Sequence, residues 1–154
     1  MPAYAETRVP IPQSRTAIEG LLEKRGVRDF RVTTTASLFA LDFNWPLKDK
    51  RGGLRTILGV RIVAPWPENE RARRRMARVL YWHLKSKLEA VEAGLLSFEE
   101  EFLPHLTLGR AGPRVWDDAR PAIEEAIKEG RDLSHDLLGT SFRALQLPPG
   151  KGGL

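Results

Sequence analysis

The chain contains no cysteine among its 154 residues. Disulfides and thiolate metal sites are therefore excluded, and a reducing cytoplasm is the expected location. Long apolar runs are also missing. The longest span a handful of residues, against the roughly 20 a membrane-crossing helix needs, so no membrane partner is expected. The opening residues, MPAYAETRVPIP, have neither a basic start nor an apolar core, and no leader peptide is read there. Enzyme signatures are scarce too. Gly52-Gly53 lacks the surrounding pattern of a phosphate-binding loop, no serine sits in a nucleophile elbow, and no H-E-x-x-H occurs. Of the three histidines, only His105 opens an H-x-T triplet, His105-Leu106-Thr107. Two-histidine phosphoesterases need two such motifs, one histidine as base and one as acid, so that chemistry is not expected.

What is present describes an ordinary globular protein: 42% hydrophobic and 29% charged residues, in a length that suits one domain with a true core. Basic residues outnumber acidic ones 25 to 20, giving a net charge of +5, and the pI is near 9.9. Such a balance favours polyanionic partners, nucleic acid first.

The apolar spacing predicts an α+β fold. Residues 1–13 hold three prolines and read as an extended arm. Ser14 then reads as the N-cap of a short amphipathic helix carrying Ile18, Leu21 and Leu22 and ending at Arg25-Gly26. From Val27 the period becomes two. Phe30, Val32 and Thr34 fall on one side, Phe39, Leu41, Phe43 and Trp45 on another, and Leu58, Val60 and Ile62 mark a third strand. These form a three-stranded antiparallel meander. A long helix follows from about Glu68, with Met76, Leu80, Leu84, Leu88 and Val91 on its inner stripe and Gly94 just past its end. Ser97 to Glu100 matches a capping box opening a short helix, which Pro104 closes. Leu106–Leu108 suggests a brief strand, and Val115–Glu129 a last helix with Trp116, Ile123 and Ile127 inward. The helices are expected to pack on the sheet. One domain is expected over 14–130, with a loosely ordered tail over 131–154.

Two charge features stand out. Arg71, Arg74, Arg75 and Arg78 share the outer side of the long helix with Trp82 and Lys85, and the loop before the third strand adds Lys48, Lys50, Arg51 and Arg55. Guanidinium forks suit phosphates, and an aromatic ring suits a base. Positive charge at a helix start opposes the macrodipole, which invites a functional reason. The competing reading is a solvated face paired with Glu68, Glu70 and the acidic segment. The second feature is that segment, Glu99, Glu100 and Glu101 with His105. Carboxylates with an imidazole suit a magnesium or manganese ion that activates water. The capping box and the macrodipole account for the same glutamates without any metal, and no cofactor is expected outside a nuclease reading.

Residues 87–108, KLEAVEAGLLSFEEEFLPHLTL, with shorter stretches such as Tyr4-Ala5-Glu6 and Ile18-Glu19, resemble a family of small uncharacterised proteins encoded by phages and prophages. The matching pieces are Tyr4-Ala5-Glu6, then Ser14, Ile18-Glu19 and Leu21-Leu22 before Gly26. The strongest is residues 87–108, KLEAVEAGLLSFEEEFLPHLTL, against a family pattern K-L-E-A-V-E-x-G, then F-E-E-E-F-L and a following histidine. The resemblance covers most of residues 4–130 and implies a phage or mobile-element protein in a bacterial cytoplasm. It carries over no activity and no catalytic residue. The family's Asp-Gly turn is replaced here by Gly109-Arg110-Ala111-Gly112-Pro113. Three functions follow as expectations: a nucleic-acid-binding accessory protein in DNA replication, recombination or gene control, with DNA ahead of RNA; a metal-dependent nuclease using Glu99, Glu101 and His105; or a module that binds a host or phage protein. The sequence sets no oligomeric state.

Overall fold

The computed structural model describes residues 4–110 and 112–130; the expected tail at 131–154 lies outside them. The fold is α+β. A first helix, α1 (Ile11–Glu23), precedes strands β1 (Phe30–Thr34), β2 (Leu38–Lys48) and β3 (Leu54–Pro65). The long helix α2 (Glu70–Glu92) and short helix α3 (Phe98–Phe102) follow, then a single 3-10 turn at Leu103–His105 and a last helix, α4 (Val115–Lys128). The chain divides into two compact units, Met1–Trp116 and Asp117–Leu154. In α4 only Ala126 is buried, and Trp116 and Ile127, expected to face inward, are exposed.

The three strands form an antiparallel meander in chain order. Phe30 pairs with Phe43 and Val32 with Leu41, and across β2 Phe43 pairs with Val60 and Leu41 with Ile62. Directly paired residues share a face, so the period-two apolar positions of all three strands make one layer. That layer joins Ile18 and Leu22 of α1, Ala77, Leu80, Leu84 and Leu88 of α2, and Phe98 and Phe102 of α3 in one buried cluster. On the opposite face Asp42 lies between Arg31 at 3.4 Å and Arg61 at 3.6 Å.

The helix ends follow local chemistry. Asn69 caps α2, its side-chain oxygen accepting from the Ala72 amide at 2.7 Å. Ser97 caps α3 by accepting from the Glu100 amide at 3.2 Å, as the capping box requires. Gly94, at φ 73°, ends α2 in the left-handed conformation that glycine adopts without strain.

At α1 the sequence reading is corrected. The helix starts at Ile11 behind Pro10, and Pro12 sits in its first turn. Prolines are tolerated there because the amides they lack have no helical partner anyway. Ser14 is consequently inside the helix, fully buried, and its hydroxyl has no hydrogen-bond partner among the described residues. An N-cap serine would lose about 1 kcal/mol on Ser14→Ala. A buried, unsatisfied hydroxyl gives the opposite sign, so the variant is expected to match or exceed wild-type stability in chemical denaturation.

Candidate nucleic-acid interface and a histidine pair

The basic residues fall in two settings that differ in what surrounds each charge. On α2 the cations are engaged by their own chain. Arg71 holds the Glu6 carboxylate at 2.5 Å and the Ala5 carbonyl at 3.4 Å. Arg74 pairs with Glu70 at 3.4 Å, and Lys85 with Glu89 at 3.1 Å, each one helical turn away. The Arg78 guanidinium lies 4.4 Å from the Tyr81 ring centre and 5.8 Å from that of Trp82, and Lys85 lies 4.9 Å from Trp82. Arg75 is half-buried on the same helix. Arg73, not singled out by its sequence context, donates to the Pro67 and Ala36 carbonyls and lies over Trp66 at 5.6 Å. That arginine ties the start of α2 to the sheet. The competing reading of the cluster thus holds in part: Glu70 is a partner as expected, and Glu6 of the N-terminal arm is a further one.

The β2–β3 hairpin is the other setting. β1 pairs with β2 only as far as Phe43, so residues 44–48 and 54–59 continue as a two-stranded ribbon. Five residues of strand carry the tip about 16 Å beyond the three-stranded part. At the tip Asp49 turns its carboxylate onto the amides of Arg51 and Gly53, at 2.8 and 2.9 Å, and Gly52 takes φ 81°. Lys48, Lys50, Arg51 and Arg55 are all exposed, and among the described residues no carboxylate ion-pairs with any of them. Beside them Leu54 is 64% and Ile57 57% exposed, an apolar pair next to unpartnered charge.

The acidic segment resolves into packing. Phe98 and Phe102 stand one turn apart on the inner side of α3, and of the glutamates between them Glu100 is exposed. Trp45 stacks on Phe98 at 4.3 Å and 10°, Phe98 on Phe102 at 4.4 Å, and Phe102 meets Phe43 edge-on at 6.0 Å. Glu101 is held by Lys87 of α2, whose ammonium donates to its carboxylate at 3.1 Å and to its backbone carbonyl at 2.9 Å. Among the described residues no three His, Asp or Glu side chains converge as a metal site. Glu99, Glu101 and His105 are therefore not drawn together. The helix breaks between Glu101 and His105, passing into the 3-10 turn, so their four-residue spacing does not give a common face.

His105 has a different neighbour. Its ring centre lies 6.0 Å from that of His83 on α2, with the rings nearly perpendicular. Its Nδ1 is buried without a hydrogen-bond partner among the described residues. Desolvation by burial, then the nearby charges of Lys87, His83 and Arg114, push its pKa down to about 4. The His83 pKa is also lowered, first by burial and then by Lys87, with Glu101 acting against them. His83 carried no motif in the sequence; its i, i+4 spacing to Lys87 is the signal that placed it beside this joint.

No protein-family model, curated protein or solved structure matches this chain. The functional reading rests on geometry.

The His105 shift has a defined sign. Folding lowers its pKa from 6.5 to about 4, so the neutral ring contributes stability that is complete above pH 6.5 and is lost as pH falls toward 4. NMR titration of the His105 ring should show a midpoint near 4, and His105→Gln should flatten the loss of stability across that window. A midpoint at 6.5 contradicts the burial described.

Proposed function

We propose that the protein binds nucleic acid, DNA ahead of RNA, as an accessory protein of a phage or other mobile element acting in a bacterial cytoplasm. One observation carries this reading: the basic tip of the β2–β3 ribbon, where Lys48, Lys50, Arg51 and Arg55 are exposed and no carboxylate ion-pairs with them among the described residues. Releasing phosphate counterions to such charges drives association without any cost of breaking internal ion pairs. A two-stranded ribbon also fits the major groove of B-form DNA, about 12 Å wide, whereas the deep, narrow groove of A-form RNA excludes it. Leu54 and Ile57 supply apolar contact beside the phosphate-binding charges. The α2 cations rank second because Arg71, Arg74 and Lys85 must first leave Glu6, Glu70 and Glu89.

A magnesium- or manganese-dependent hydrolase draws no support from the Glu99–His105 region, where Glu101 is tied to Lys87 and His105 faces cations. A protein partner has one feature in its favour, the exposed Leu95, Leu96 and Leu103 flanking α3. Among the described residues no helix is long and apolar enough to cross a membrane.

The test is a salt-titrated binding assay on duplex DNA. Lys50→Glu with Arg51→Glu should weaken binding at least about tenfold at 100 mM salt and lower the salt slope by about 2, one for each phosphate that is no longer neutralised. An affinity indifferent to salt and to this pair of substitutions rejects the reading.

A further inference from the structure

Trp82 is 39% exposed on the basic side of α2, and what covers it comes from the far end of the sequence. The N-terminal segment makes a turn in which the Thr7 amide donates to the Tyr4 carbonyl at 3.1 Å. That turn delivers two side chains to α2. The Tyr4 ring lies parallel to the Trp82 indole, within 3° and at 6.4 Å between centres. The Glu6 carboxylate lies on the Arg71 guanidinium at 2.5 Å. An aromatic ring parallel to an indole and an anion on a guanidinium correspond to the two contacts a nucleotide makes on a single-strand-binding surface, its base stacking and its phosphate paired.

We propose that the face of α2 formed by Arg71, Arg78, Trp82 and Lys85 is a binding site for single-stranded nucleic acid, and that Tyr4 and Glu6 occupy it as a built-in competitor. This rests on the nucleic-acid reading above, but uses a different surface and a different form of the ligand. Arg71 and Trp82 are eleven residues apart, close to three full turns, so they share one side of the helix about 16 Å apart along its axis. Arg78 and Lys85 lie on that side near the Trp82 ring, Lys85 also pairing with Glu89 one turn on, and their charge serves a stacked base and its phosphates together.

The competitor is held weakly enough to leave. Tyr4 has φ 58°, a left-handed conformation that strains a residue with a side chain. Tyr4 is 41% exposed, and the ion pair of Glu6 with Arg71 is exposed on both sides, 70% and 64%. Exposed pairs of this kind are screened by salt and contribute little to stability. Neither side chain belongs to the buried cluster, so both are replaceable without unfolding the protein.

The experiment measures fluorescence anisotropy of a labelled oligothymidylate and of a labelled duplex with the full-length chain, its variants first checked by thermal melting. Tyr4→Ala with Glu6→Gln should tighten oligothymidylate binding about three- to tenfold, the range expected for releasing one aromatic contact and one exposed ion pair. Adding Trp82→Leu should abolish that gain. Lys50→Glu with Arg51→Glu should weaken the duplex and leave the gain on the single strand intact. Oligothymidylate binding that is unchanged or weaker in the arm variant overturns the proposal, as does a gain that survives Trp82→Leu. Loss of duplex binding in every form of the protein, with the single-strand gain retained, rejects the ribbon reading alone.

Discussion

The structure depends on an aromatic column that joins the sheet to α3. Trp45 and Phe43 on β2 meet Phe98 and Phe102, and Phe102 is wholly buried where sheet, α2 and α3 come together. A five-residue helix has no stability of its own, because nucleation consumes most of what its few hydrogen bonds return. It persists because both its phenylalanines are inside the core and Ser97 satisfies one of its first amides. Lys87 completes the joint by binding both the side chain and the backbone of Glu101 across the gap. The stretch from Lys87 to Leu103 is thus a packing device: Lys87 and Glu101 form the tie, Leu88, Phe98 and Phe102 the core, and Gly94 the corner.

That joint also sets where chemistry can and cannot occur. It ties Glu101 to Lys87 and puts His105 beside His83 under the influence of Lys87 and Arg114. Charge is deployed differently elsewhere. On α2 the cations have partners, and the arm residues Tyr4 and Glu6 are among them. On the ribbon Asp49 is turned inward onto backbone amides and the cations face solvent. The distinction between an engaged and an open basic surface follows from which acidic residues the fold delivers to each.

Much of the fold was legible from spacing. The large apolar residues of strand positions 30–34, 39–45 and 58–62 alternate because they share one buried face, and the inner stripe of α2 repeats at helical period for the same reason. The Ser97 cap and the Gly94 corner were readable because both are local. Ser14 was misplaced because a good capping residue and a proline-tolerant first turn give competing local signals, and burial of the helix against its neighbours decided between them. The brief strand at Leu106–Leu108 was half visible. Leu106 bridges to Val60 and Thr107 to Arg114, a pairing fixed by contact with the edge of β3.

The sequence by itself determined the element types, the core-facing stripes of the sheet and of α2, and the two concentrations of charge, since each is a matter of neighbours within a turn or a strand. Only the tertiary structure decided which charges remain open. Glu6 and Arg71 are 65 positions apart, Lys87 and Glu101 14, and His83 and His105 lie on different elements. Electrostatic energy depends on distance in space and on exclusion of water, and neither is encoded in local pattern. The Arg71–Lys85 face and the ribbon tip looked alike as strings of basic residues. Folding gave one of them a covering arm and left the other extended into solvent.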